Sequence, residues 1–162
     1  VGGGQEDGFR SSTENVSGAI SFAYSAKKMA ADFDSNNAKV GGFKEKMLNL
    51  LQNSEIKDCF ICNSDVNCSP YIVSLSFDKI KGEVLMLSLE SDGVLISTGS
   101  ACSSKKAGNR TLQAMGRTDS QIIGSVRISF SPYEDYDIDY IVNAIIKNVL
   151  NFILVSLPST CQ

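Results

Sequence analysis

The sequence predicts an α+β fold, a small sheet with helices packed on it, from three observations. Apolar residues recur at helical spacing in some stretches, alternate with a period of two in others, and the two kinds of segment are interleaved along the chain. The 162 residues are 43% hydrophobic and 20% charged, enough for a sizeable core and without the signature of disorder.

Residues 1–13 are a Gly/Ser-rich opening without periodicity. Val16, Ala19, Ile20, Ala23, Ala26, Ala30 and Phe33 then keep to one helical face, predicting a long first helix. Asp34 to Asn37 reads as a loop, and Phe43, Met47, Leu50 and Leu51 predict a second helix to about Asn53. Cys59 to Cys62 is a short apolar stretch before the turn-rich Asn63 to Pro70. After it, Tyr71, Val73, Leu75 and Phe77 alternate with Ile72, Ser74 and Ser76, so two neighbouring strands are expected. Gly82 to Ser91 suits a short helix with Glu83 in its first turn. Val94 to Ser97 predicts a strand that opens into Thr98 to Gly108, a run of small and polar residues that cannot bury itself. A helix from about Asn109 to Met115 stops at Gly116. Val126, Ile128 and Phe130 then share one face of a strand, with Arg127 and Ser129 on the other. Asp135, Asp137 and Asp139 begin a final helix with a stripe of Ile138, Ile141, Val142, Ile145, Ile146 and Val149.

Composition excludes several kinds of function. Fifteen Lys and Arg against eighteen Asp and Glu leave a net charge of -3, which offers no basic surface to a phosphate backbone, so nucleic acid is not an expected partner. No apolar run approaches the roughly 20 residues of a bilayer span, and no membrane role is expected. With no histidine, Ser-His-Asp and Cys-His catalysis and the usual catalytic zinc sites are ruled out within the chain. The chain begins Val1-Gly2-Gly3-Gly4 with no signal-peptide pattern and reads as a piece of a longer polypeptide. Its five cysteines, an odd number, fit free thiols in a reducing cytoplasm.

Cys102 is the most suggestive residue, a thiol in a small-residue loop with Lys105 and Lys106 nearby; positive charge and solvent access favour the nucleophilic thiolate. The alternative is a half-buried structural thiol. Arg127 projects from its sheet if Val126, Ile128 and Phe130 face the core, and its fork would clamp a carboxylate or simply be solvated. Gly2-Gly3-Gly4 with Arg10-Ser11-Ser12-Thr13 supplies amides, hydroxyls and a cation for a phosphate, although no Walker Lys-Ser/Thr pair follows. Cys59 and Cys62 form one C-x-x-C with Cys68 beyond; a zinc site needs four ligands and finds no second pair or histidine, so no metal is expected.

Four segments together resemble a known family. Gly2-Gly3-Gly4-Gln5-Glu6, Gly8-Phe9-Arg10-Ser11-Ser12-Thr13-Glu14-Asn15, Ser97-Thr98-Gly99-Ser100-Ala101-Cys102-Ser103-Ser104 and Ser125-Val126-Arg127-Ile128-Ser129-Phe130 are similar to the C-terminal portion of cysteine desulfurases of the NifS/IscS type, in the class V aminotransferase family. The resemblance covers essentially the whole chain. It implies residues 1–15 as the remnant of a large-domain boundary and 16–162 as the C-terminal small domain of a fold-type I pyridoxal-phosphate-dependent transferase.

The implied reaction takes sulfur from L-cysteine as a persulfide on Cys102 and leaves alanine. By resemblance Arg127 pairs with the substrate carboxylate, Arg10 belongs to the substrate pocket or holds its turn, and Thr13 reaches the cofactor phosphate of the other subunit of a homodimer. The cofactor's Schiff-base lysine, a stacked histidine and most phosphate ligands are implied upstream of Val1, so the chain alone is expected to be incompetent. The long cysteine loop resembles the subgroup that passes sulfur to iron–sulfur scaffolds and tRNA-thiolation proteins. Asp7 stands where the family has Arg, and Ser12 where it has Gly, which implies an altered turn before Thr13, because only Gly takes positive φ freely. The rival readings are another fold-type I pyridoxal phosphate enzyme and a non-catalytic truncated paralogue that accepts persulfide.

Overall fold

The computed structural model describes residues 3–9, 12–64, 67–98 and 109–156. It divides into two compact units, Val1–Asn36 and Asn37–Gln162.

In the first unit, a 3-10 turn at Gln5–Gly8 precedes helix α1 (Val16–Ala31). The side chain of Asn15 caps α1 by accepting from the Gly18 N–H at 3.1 Å. Positive φ occurs at Glu6, Asp7 and Gly8, while the expected altered turn before Thr13 runs through Arg10 and Ser11, which lie outside the described residues. The apolar residues of α1 include Val16, Ile20, Phe22, Tyr24 and Met29, and all five are exposed. The expected loop at Asp34–Asn37 is helical: Asp32 alone separates α1 from helix α2 (Phe33–Gln52). The Asp32 carbonyl accepts from the Asn36 N–H at 2.9 Å and the Ser35 hydroxyl at 3.0 Å. Asp34 lies in the first turn, where the helix dipole favours a carboxylate, so this polar run starts a helix.

The second unit is built on a four-stranded antiparallel sheet in the order β1-β2-β4-β3, comprising β1 (Phe60–Cys62), β2 (Ile72–Phe77), β3 (Ser97–Thr98) and β4 (Ser125–Ser129). Val73 and Leu75 of β2 face inward beside their β4 partners Ile128 and Val126. One core joins them to Met47 and Leu51 of α2, Leu85 and Leu89 of α3 (Gly82–Ser91), and Val142, Ile145 and Val149 of a C-terminal helix at Ile138–Ser156. Burying each such side chain contributes about 1.5–3 kcal/mol.

Three boundaries differ from expectation. β3 is Ser97–Thr98, not Val94–Ser97: the Val94 N–H bonds the Leu89 carbonyl at 2.9 Å after a Gly93 turn at φ 75°, and its side chain is buried without joining a ladder. Between α4 (Arg110–Ala114) and β4 lies an unexpected helix, α5 (Asp119–Ile123). It starts in a capping box, with the Thr118 hydroxyl accepting from the Gln121 N–H at 3.3 Å and the Gln121 side chain accepting from the Thr118 N–H at 3.1 Å. The C-terminal helix, α6, begins at Ile138 rather than Asp135 because Asp137 accepts from the Tyr140 N–H at 3.0 Å, whereas Asp135 pairs with Lys39 at 2.9 Å.

A polar node ties α6 to α3. Buried Asn148 donates to Asp92 at 2.7 Å and to the Ala144 carbonyl at 2.9 Å, and accepts from Ser88. Lys147 also donates to Asp92, at 2.7 Å. Hydrogen bonds from Lys147, then from Asn148, hold the Asp92 carboxyl below its ordinary value against opposing desolvation, with the Lys147 charge adding to the shift. A carboxyl held down in the folded state stabilises above the unfolded pKa of roughly 3.9 and loses that contribution as pH falls through the folded value. The stability gap between the wild-type protein and Asp92→Asn should therefore shrink as denaturant melts move from pH 7 to pH 3. A gap independent of pH would contradict the node.

Gly124 joins α5 to β4 where the chain passes the end of β2. A Cβ there would overlap the Phe77 carbonyl oxygen and lie 2.6 Å from that of Ile80, both backbone atoms. Gly124→Ala should destabilise by about 1–3 kcal/mol. Gly42→Ala, in an open position within α2, should stabilise by about 0.5–1 kcal/mol. Urea melts of the two variants check the contrast; equal effects would refute the close approach.

Candidate functional site

The two-residue period that sends Val126 and Ile128 into the core leaves Arg127 exposed on the opposite face of β4. Register carries this face across the sheet. Arg127 lies opposite Ser97 of β3 on one side and Ser74 of β2 on the other, and Ser125 faces Ser76. The Ser97 hydroxyl donates to the Arg127 carbonyl at 3.2 Å, fixing β3 beside it. Ser76 and Ser125 are buried, while Ser74 is half-buried.

Asn63, just after β1, is 9% exposed and covers these serines. Its N–H donates to the Ser74 carbonyl at 2.8 Å, and its side-chain amide reaches the Ser76 hydroxyl at 2.8 Å and that of Ser74 at 3.4 Å. The Asn63 side-chain oxygen accepts from Nε of Arg117 at 2.6 Å. Two guanidinium residues thus approach one polar sheet face. The three ion pairs among the described residues, Lys39–Asp135, Lys46–Asp139 and Lys147–Asp92, all use lysine. An exposed guanidinium of this kind offers paired N–H donors in the geometry of a carboxylate.

Of the residues singled out from the sequence, Arg127 belongs to this face. Thr13 is exposed in the first unit, its carbonyl accepting from the Ser12 hydroxyl at 3.5 Å. Arg10 and Cys102 lie outside the described residues, as do Lys105 and Lys106. Strand β3 ends at Thr98, and the description resumes at Asn109, whose side chain caps α4 by accepting from the Thr111 and Leu112 N–H groups. Cys59 and Cys62 are half-buried free thiols and Cys68 is exposed; among the described residues no three His, Cys, Asp or Glu side chains cluster to hold a metal. Sequence reasoning missed Asn63 and Arg117. Alternation had already separated Ser74 and Ser76 from the inward-facing residues, but nothing local marked Arg117.

Fold and site together define a small α+β domain that presents an arginine from a serine-lined antiparallel sheet. The chain belongs to the aminotransferase class-V family, whose profile matches residues 3–140. It is 31% identical over 147 residues to a cysteine desulfurase of Sinorhizobium fredii, covering 89% of this chain and 38% of that protein. With cysteine desulfurase IscS 1 of Archaeoglobus fulgidus it shares 30% over 148 residues, covering 90% and 38%. A solved NifS-like protein superposes with a TM-score of 0.73 at 27% identity, over 93% of this chain and 38% of that one. A NifS-like protein from Rickettsia africae shares the fold, with a TM-score of 0.71 at 21% identity over 94% and 39%. The chain thus spans little more than a third of the length of these relatives.

Pyridoxal phosphate is the cofactor this family implies. No described helix is long and apolar enough to cross a membrane.

Proposed function

We propose that this chain is the substrate-carboxylate and sulfur-accepting segment of a pyridoxal-phosphate-dependent cysteine desulfurase. The exposed guanidinium of Arg127, held between β2 and β3, carries the reading. In it, residues 1–15 are the edge of the cofactor domain, 16–162 are the small domain, and the cofactor's principal ligands lie in the part of the relatives' length that this chain does not span. Arg127 grips the carboxylate of L-cysteine through two parallel N–H donors, which orients the substrate sulfur.

The Cys102 thiolate then attacks that sulfur. An S–S bond forms as the substrate Cβ–S bond breaks, the bonding pair stays with Cβ and takes a proton, and alanine leaves while Cys102 keeps the persulfide. Transfer onward to an iron–sulfur scaffold or thiolation protein follows from the resemblance. So do Thr13 as a cofactor-phosphate contact across a homodimer and Arg10 at the substrate pocket, while the odd cysteine count fits a cytoplasmic location.

Arg127→Lys in the holoenzyme keeps the charge and loses the fork, which should weaken cysteine use by about 1.5–3 kcal/mol of charge-assisted hydrogen bonding. Steady-state kinetics on L-cysteine measures it, and unchanged kcat/KM would return Arg127 to a plain solvated face. Cys102→Ala should abolish protein persulfide while the cofactor still binds. A persulfide accumulating at the wild-type rate in that variant, detected by mass spectrometry, would sink the assignment.

A further inference from the structure

We propose that Arg117 is a second substrate-contacting residue of the Arg127 face, so that the carboxylate of the amino-acid substrate lies over Ser74 between two guanidinium groups. This rests on the cysteine desulfurase reading and adds to it a residue that no sequence motif marks.

Arg117 is delivered by a fixed connection. It follows Gly116, whose φ of 73° turns the chain at the end of α4, and precedes the Thr118 capping box of α5. Its Nε donates to Asn63 at 2.6 Å. The Asn63 side chain cannot swing away without breaking its amide's bonds to the Ser76 hydroxyl at 2.8 Å and the Ser74 hydroxyl at 3.4 Å. The Arg117 head is therefore held in place before any ligand arrives.

That anchoring uses one N–H of the five a guanidinium carries. The four terminal N–H donors have no described partner, and no described carboxylate pairs with either Arg117 or Arg127. Asp78, at the end of β2, accepts instead from Gln121 at 3.3 Å. Ser74 connects the two arginines. It pairs in register with Arg127, and its hydroxyl lies 3.4 Å from the same Asn63 amide whose oxygen holds Arg117. In a chain with an excess of acidic residues, two arginines on one face without a described carboxylate partner leave a local positive potential that draws an anion. A carboxylate supplies two oxygens, so Arg127 is able to hold it end-on while a terminal nitrogen of Arg117 donates from the side.

The test is steady-state kinetics of the holoenzyme on L-cysteine, with Arg127→Lys measured in parallel. Arg117→Gln should raise KM about tenfold, the loss of one charge-assisted hydrogen bond, and leave kcat within about twofold. Arg117→Lys, which keeps the charge but not the Nε donor, should fall between. If Arg117→Gln leaves KM unchanged while Arg127→Lys raises it, this proposal fails and the cysteine desulfurase reading stands. If the holoenzyme releases no sulfur from L-cysteine, both fail. A substitution that only lowered the melting temperature would mark Arg117 as structural. To separate that case, the wild-type holoenzyme is titrated with L-alanine and the ¹⁵N-labelled Nε–H resonance of Arg117 followed; a shift is expected, and its absence overturns the proposal.

Discussion

The register of β4 between β2 and β3 is the constraint on which the rest depends. With Val126 opposite Leu75 and Ile128 opposite Val73, two cross-strand apolar pairs are set into the core. Because side chains alternate with a period of two, the same pairing obliges Arg127 to leave by the other face beside Ser74 and Ser97. A slip of one residue would bury the guanidinium and expose Val126 and Ile128. Core formation and site formation are thus one event, and the hydrophobic stabilisation of the sheet holds the arginine in position.

The surrounding elements keep that register from slipping. Gly124 lets the chain pass against the carbonyls of Phe77 and Ile80 just before β4 begins, and its own carbonyl accepts from the Phe77 N–H at 3.2 Å. α5, set by its capping box, ends at that glycine. On the core side, the Asn148–Asp92 node joins α6 to the end of α3, immediately before the segment that leads to β3. Polar groups with complete hydrogen bonding fix direction where apolar packing alone tolerates sliding.

Much of this was legible in the sequence because local patterns decided it. The alternation around Leu75 and Val126 located β2 and β4, and the same alternation assigned Arg127 its outward direction. Gly82 to Ser91 was readable as a helix from its apolar spacing. The polar run after Asp32 reads as a loop because the chemistry of a first helical turn resembles that of a turn, and it is the start of α2. Val94 looked like strand, yet it packs in the core while its N–H closes the end of α3. The Thr118 and Gln121 pair is a local capping signal for the start of α5. Asn63 and Arg117 were not readable, since they meet across 54 residues of sequence and only the assembled sheet brings them together.

The decisive question is whether the Arg127 face meets the substrate carboxylate. Phenylglyoxal modification of the holoenzyme, mapped by mass spectrometry with and without saturating L-alanine, measures this on the unaltered protein. Arg127 should be modified readily in the free enzyme and protected when L-alanine is bound, while Arg110 at the start of α4 reacts equally in both. Modification of Arg127 at the same rate with and without L-alanine would contradict it.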